Sequence, residues 1–386
     1  MSQSSEVKFT VAAGPHPRRL CHVEAMLDAA GPASKVVVKD LERGTEVEGQ
    51  ALDFKDGKAH IVWLIDDLPA RTERRFAATF SDDKPGTAVE LVTLPADRIE
   101  VRVGGKPFTT YHFSHELARP CLYPLIGPTG VGITRNFPMA KGPEGETTDH
   151  KHHRSVWVAH GDVNGVDNWS EEKDHGRTVH RSFKSVTSGP VLAELIADGD
   201  WVSASGEKVL SERRVMCFYN LDAPYRMIDF IILLKADKDV VFGDTKEGGI
   251  LSVRVATTMD GSRGGLIRNS FGGITERETW GKRAQWCDYS GPVDGKTVGI
   301  TIMDYPPNFR YPTYWHVRDY GLFTANPFGL SAFYGDKSRD GSYRLPAGQH
   351  FKFYYRMLIH AGDALESHVA EKYHDYINPP QIKQEK

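Results

Sequence analysis

Four histidines, two carboxylates and one arginine fall within the sixteen positions from Thr147 to Asp162 (TTDHKHHRSVWVAHGD), in a chain with only 16 histidines among 386 residues. Imidazole exchanges a proton near neutral pH, and a neighbouring guanidinium can pin a sugar oxygen or a carboxylate. The segment therefore has the makings of an acid–base site, with His150 or His153 carrying the proton and His152, Arg154, His160 and Asp162 binding substrate. Read as a strand over 154–160, it places His150, His152, Arg154 and His160 on one face and Asp149, His153 and Trp157 on the other. Polar side chains between valines would be costly inside a packed sheet, so the pattern calls for an open, wet cleft. Two other readings stay open. His150 and His152, spaced as His-x-His, could chelate a divalent ion with Asp149 or Asp162, or the histidines could be loop residues satisfied by backbone.

Four further segments carry polar or aromatic groups at suggestive positions. In Gly161 to Trp169, Asn164-Gly165 marks a turn and Trp169 offers a stacking surface for a sugar ring; Val166 stands where a calcium loop needs oxygen. Trp280 to Ser290 brings Arg283 and Trp286, readable as a binding wall or as core tryptophans. Tyr311 to Gly321, read as a strand, aligns His316, Arg318 and Tyr320 on one face and leads on to Asn326. Glu247 is a candidate carboxylate and Arg254 lies mid-strand, with a surface salt bridge as the plainer alternative for either. GxSxG and HExxH are missing, and Gly127 to Gly132 lacks both the GxGxxG spacing and a Walker lysine.

The elements that must position these groups read as strands. Lys35 to Val38 is β-branched, and Asp56-Gly57 sits between two apolar runs as a hairpin turn. Arg75 to Phe80 is half apolar, and the turn spacing predicts a small β-sandwich over residues 1–97. Beyond residue 98, Ile99, Val101 and Val103 alternate with charges, and Gly104-Gly105 reverses the chain into 108–113. More strands follow near 156–158, 191–196, 225–234, 250–256, 298–303 and 351–359. That number predicts a large two-sheet architecture over residues 98–386 with one concave face carrying the site. One helix is expected over 364–376, opened by Asp363 and Glu366 and stopped by Pro379-Pro380.

Composition narrows the class. A net charge of −3 gives no footprint for nucleic acid or an anionic membrane. No apolar run approaches a bilayer-spanning length, and the first twenty residues lack the basic-then-apolar pattern of a secretory signal. Cys21, Cys121, Cys217 and Cys287 are widely spaced, which reads as free thiols in a reducing compartment, the cytoplasm.

Several ordered motifs together resemble a known family. Arg119 to Pro124, Gly130, Thr134-Arg135-Asn136-Phe137-Pro138, Asp149 to Arg154 with Trp157 and His160-Gly161-Asp162, the stretch from Trp315 to Gly329, and Phe353 to Asp363 are similar to the bacterial family labelled "PmoA" or methane oxygenase. Arg135 joins the binding candidates through this resemblance. The methane-oxidising enzyme of that label is a membrane copper protein, and this chain has no membrane-length segment. Through His153, Arg154 and Trp157, and Leu345 to Gln349 ahead of the last long strand, the family looks related to galactose-mutarotase-like β-supersandwiches. That relation implies sugar epimerases, polysaccharide lyases or glycosidase domains. The mutarotase carboxylate near the C-terminus has Glu247, Asp288 and Asp319 as stand-ins.

The expectation is an all-β carbohydrate-active enzyme acting on a C–O bond of a sugar or keto-sugar derivative by hydrolysis or elimination. His150, His153, His316 and Glu247 are the catalytic candidates, and a divalent metal is an open possibility. An aldose-1-epimerase-like mutarotase and a non-catalytic sugar-binding protein are the alternatives. The expected partner is a small carbohydrate, with neither nucleic acid nor membrane.

Overall fold

The protein has an all-β fold with three short α-helices among the described residues, in a computed structural model that describes residues 5–221 and 223–385. Residues 1–4, where the segment read for a secretory signal begins, lie outside the described residues. Two eight-stranded sheets face each other, and their inward residues form one continuous apolar core. Alternation builds it: Val156 and Val158, Val253 and Val255, Phe323 and Ala325, and Trp315 and Val317 all point inward from one sheet, so the residues between them point away. The large sandwich expected from the strand content is thus present.

A seven-stranded sheet is built from the strands between Ser5 and Ser81, joined at its edge by Gln381–Gln384 against Ser5–Ala12. Its strand Glu46–Lys55 pairs with Lys35–Asp40 as far as Gly49 and with Lys58–Leu68 from Gln50 onward, with an irregularity between Ala51 and Asp53, so it turns from one half of the sheet to the other. Phe9, Val23, Val36, Trp63 and Phe76 fill the enclosed core. The two hairpins expected from glycine turns form, with positive φ at Asp56 and Gly57 and at Gly104 and Gly105, the conformation that two-residue loops require.

The expected C-terminal helix is shorter than its periodicity suggests, spanning Val369–Ile377. Asp363 Oδ1 accepts the Leu365 and Glu366 N–H groups, and Glu366 accepts the Asp363 N–H, as a capping box would. His368 then takes φ 51°, which breaks the helical run, and Leu365 stays 63% exposed instead of joining the apolar face. The helix packs with Val62 of the small sheet on the outer side of the second large sheet. The outer side of the first large sheet carries a separate cluster, Cys121, Trp157, Ala159, Trp169 and Leu322, and there the histidines collect.

Candidate functional site

The strand begins at Val156, and Ser155 before it has φ 60°, so residues 149–155 form a loop and the expected two-face alternation stops short of them. That loop curls over the sheet's outer face. Asp149 lies at its start, and Asp149 Oδ1 accepts Arg135 Nη1 at 2.7 Å and Arg254 Nη2 at 2.9 Å. Both arginines are fully buried. His150 Nδ1 donates to the other carboxylate oxygen, Oδ2. Burial works against the Asp149 carboxylate, yet the bonds from His150 and Arg254 and the charges of Arg254 and Arg135 hold it well below the usual range. The His150 side chain is 41% exposed, and its Nε2 has no partner among the described residues.

His150 stands in a stack of flat rings. His153 lies parallel to it at 4.8 Å between centroids and Tyr320 at 4.9 Å, with interplanar angles of 4° and 10°, and the His153 and Tyr320 rings are 6.4 Å apart. Trp157 stacks under His153 at 5.2 Å. His153 is buried, and its Nδ1 accepts Arg254 Nη1 at 3.1 Å. Burial first, then the charges of His152 and Arg254, push His153 well below the ordinary imidazole range, so it stays neutral. His152, half-buried against Trp169, is lowered to about 4 by burial and by Arg119. The Arg254 and Arg318 guanidiniums lie 4.8 and 5.6 Å from the Tyr320 ring centroid. Burial raises the Tyr320 hydroxyl to about 12, although Arg318 and Arg254 oppose this; Glu247 and Asp149 act in the same direction as burial.

The loop is anchored from behind. The buried Arg119 donates to the carbonyls of His152, Asn168, Trp169 and Ser170 at 2.8 to 3.3 Å. Glu171 takes Arg154 in a two-pronged pair at 2.7 and 2.6 Å. Arg154 is therefore spent on Glu171, and Trp169, 1% exposed, is packing material with no open stacking surface. Two clefts, about 540 Å³ between Asn136, Thr257 and Arg263 and about 440 Å³ reaching Thr148, flank the segment leading into Asp149.

Several expected site residues lie elsewhere. His160 is buried against Phe242 and Phe328 and donates Nε2–H to the Gly243 carbonyl at 3.0 Å. Asp162 accepts Gly165 N–H, and Asn164 bridges to Asp239 and Val241, so both serve the turn. Arg283 spends its donors on the Pro312 and Tyr311 carbonyls, and Trp286 sits in the core beneath the other sheet. Asn326 donates to the Thr245 and Lys246 carbonyls, which fixes the loop carrying Glu247; Glu247 pairs with Lys246. Asp288 is buried against His360 at 2.7 Å, and Asp319 accepts the Glu276 N–H. His316 is 2% exposed, on the same outer face but at the sheet edge, where its ring meets Trp280 and Phe333. Arg318 pairs with Glu276 at 3.1 Å beside Tyr320.

Sequence reasoning left Arg119, Glu171 and Asp260 without a role. Asp260 is buried near Arg254, and burial raises its carboxyl to about 6. Nothing in their spacing marks them: Arg119 reaches Glu171 across 52 positions, and Asp260 belongs to no motif with its neighbour Arg254. Among the described residues, no group of three or more His, Cys, Asp or Glu converges to hold an ion. No described helix is long and apolar enough to cross a membrane.

Comparisons with known proteins follow the fold. A glycosyl hydrolase family 38 protein from Enterococcus faecalis shares 8% identity at a TM-score of 0.48, covering 100% of this chain and 48% of that one. A galactose mutarotase related enzyme from Lactobacillus acidophilus shares 9% identity at 0.32, covering 70% of this chain and 97% of that one. A GalM/aldose epimerase homologue from C. elegans shares 9% at 0.31, covering 72% and 99%. The chain spans about half the length of the first structures it matches. No curated protein matches the sequence. Neither the PmoA label nor an activity comes with the family assignment: residues 98–375 match the model of the Family of unknown function (DUF6807), and the chain belongs to that family.

Proposed function

We propose that the protein is a carbohydrate-active enzyme in which His150, oriented by Asp149, carries the proton in acid–base cleavage of a C–O bond of a sugar or keto-sugar derivative. One observation carries the reading: a half-exposed imidazole whose Nδ1 is committed to a carboxylate that two buried arginines fix in place. With the Nδ1 proton held by Asp149, the Nε2 lone pair faces outward as the base, and the imidazolium that forms is stabilised by the same carboxylate. Asp149 has both oxygens engaged, so it orients His150 and is not free to attack substrate. Tyr320, His152 and Arg318 border the ring stack with flat apolar surface and hydrogen-bonding edges, which suits the CH faces and hydroxyls of a sugar. Of the two cations beside Tyr320, Arg254 is buried on Asp149, whereas Arg318 is 35% exposed, paired with Glu276, and is the one placed to meet a developing oxyanion.

The test is a substrate panel of keto-sugar glycosides against ordinary glycosides and free aldoses, run with wild type and His150→Ala. Turnover of a glycoside that His150→Ala loses by at least about 10²-fold supports the reading. Equal turnover in the two proteins would falsify it.

A further inference from the structure

Asp260 lies behind the ring stack, between two single helical turns, Thr257–Met259 and Gly261–Arg263. It is 5% exposed, and its Oδ1 is a buried atom without a partner among the described residues. Arg254 has the complementary gap. Its Nη1 donates to His153 and its Nη2 to Asp149 and Thr147, but its Nε–H is buried and unpartnered among the described residues. The two gaps meet at Gly321. A β-carbon there would stand 2.8 Å from Asp260 Oδ1 and 3.4 Å from Arg254 Nε, and Gly321 has φ 97°. A residue without a side chain leaves room for the carboxylate beside the guanidinium, in a backbone conformation that glycine adopts freely. Gly321 directly follows Tyr320, so the same corner holds the ring that stacks on His150.

Such a carboxylate works against folding at neutral pH, because burial penalises its charge and no hydrogen bond offsets that. Carboxylates held this way gather where their charge is used. Here the use follows from counting charges. Arg135 and Arg254 carry two positive charges and Asp149 one negative, so the cluster behind a neutral His150 is positive by one without Asp260 and balanced with it. Once His150 takes a proton, the surplus is two without Asp260 and one with it. Few other groups bear on this corner. Arg263 acts on Asp260, and Arg318 lies over Tyr320. Burial keeps His152 and His153 neutral beside His150, and it keeps the Tyr320 and Tyr289 hydroxyls neutral near Arg254 and Asp260. Lys151 is turned to Glu172.

We infer that Asp260 is a positioning residue for the His150 base: its carboxylate supplies, through Arg254, the second negative charge that lets a proton settle on His150. This rests on the acid–base reading above. Ionised, Asp260 balances the two arginines and leaves Asp149 to the imidazolium. Protonated, it leaves Arg254 drawing harder on Asp149, and His150 becomes a weaker base. Burial, with Asp149 adding to it, raises the Asp260 carboxyl to about 6 against the pull of Arg254, Arg263 and Arg135. The charge is therefore in place at neutral pH and is lost as pH falls through about 6.

NMR on the full chain tests this, following the Arg254 Nε–H and His150 ring signals between pH 4.5 and 8 in wild type and Asp260→Asn. Asparagine keeps the shape and removes the charge. Melting temperature and glycoside turnover are measured on the same two proteins and on His150→Ala. The wild-type Arg254 signal should move as pH passes about 6, and the Asp260→Asn signal should not. The pH at which the His150 signals change should fall by about 0.3–0.6 pH unit in Asp260→Asn, a two- to four-fold loss of proton affinity, while the melting temperature does not fall. An Arg254 signal that ignores pH in wild type, or that moves equally in Asp260→Asn, overturns the proposal. An unmoved His150 response in Asp260→Asn overturns it too. Both NMR effects without turnover of any glycoside leave the coupling standing and remove the carbohydrate reading. Turnover that His150→Ala loses, without the NMR effects, leaves that reading and removes Asp260 from it.

Discussion

The Tyr320 ring lies face to face with the His150 imidazole, centroids 4.9 Å apart and planes within 10°. These residues belong to segments far apart in sequence, and their contact joins the histidine-rich loop to the chain that follows the edge strand. The stack also explains how His150 tolerates its left-handed backbone, φ 45°, in a residue with a side chain. Strain of that kind costs on the order of 1 kcal/mol and persists where surroundings over-determine it. Here they do so through Arg135 Nη2, which donates to the His150 carbonyl at 2.9 Å, and through the parallel His153 and Tyr320 rings.

His150→Ala and Asp149→Asn separate chemistry from anchoring. The His150 side chain is 41% exposed, so its removal should move stability by less than about 1 kcal/mol while turnover falls by about 10²-fold or more. Asp149→Asn leaves the buried Arg135 and Arg254 without their anion. Discounted for the 39% exposure of Asp149, the cost should be about 1–3 kcal/mol, with turnover lost as well. Urea denaturation of the two variants beside a rate assay checks this; equal stability loss in both would mean that the arginines are not anchored through Asp149.

Arg119→Met should be among the most damaging single changes outside the ring stack. It removes a buried cation that serves the carbonyls of His152, Asn168, Trp169 and Ser170 and touches Glu171. Leaving those groups unpartnered should cost about 3–5 kcal/mol. Arg119→Lys keeps the charge but loses the fork, and should recover less than half of that. Thermal melts rank the three proteins; a lysine variant as stable as wild type would show that charge alone matters.

Much of the fold was legible because period-two alternation and glycine turns are local signals. Ile99, Val101 and Val103 declare a half-buried strand, and Gly104-Gly105 declares the reversal after it. The histidine-rich segment and Arg254 stood out in the sequence as candidates, since those side chains are out of place on a plain strand. Their arrangement was not. Ser155 takes a left-handed conformation that no sequence pattern marks, and this turns an expected strand face into a loop. His160 and Trp286 resemble site residues by type alone. Only long-range packing, against Phe242 and Phe328 for one and Leu358 for the other, shows them to be structural.

Asp260→Asn should stabilise the protein at neutral pH. Burial raises the Asp260 carboxyl to about 6, and its Oδ1 has no partner among the described residues. An aspartate is near 3.9 when unfolded, so the folded state holds the proton more tightly. The stability this gives is present in full below about pH 3.9 and is lost as pH rises through about 6. Two pH units correspond to at most about 3 kcal/mol at pH 7.5, and about 1–2 kcal/mol is expected once relaxation is allowed for. The melting temperature of Asp260→Asn should exceed that of wild type at pH 7.5, and the gap should close toward pH 4. A gap that widens on acidification sinks the argument.

Buried neutral histidines set the opposite slope. Burial lowers His160 to about 4 and His316 to about 3, and it pushes His153 well below the ordinary range. A free histidine titrates near 6.5, so the unfolded chain takes up protons that the folded chain refuses. Stability is full above about pH 6.5 and is lost as pH falls toward the folded values, by up to about 1.4 kcal/mol per pH unit for each histidine. His160 isolates one contribution, because it lies among Phe242 and Phe328, remote from the ring stack, with a single bond to the Gly243 carbonyl. His160→Phe gives up that bond, costing about 1 kcal/mol at pH 7.5. At pH 5 the same variant should match or exceed wild type, because about 2 kcal/mol of refused protonation has been removed. Urea midpoints at pH 7.5, 6.5, 5.5 and 5.0 for the two proteins should therefore converge or cross on acidification. Parallel curves would mean that His160 accepts a proton in the folded state, against the burial that surrounds it.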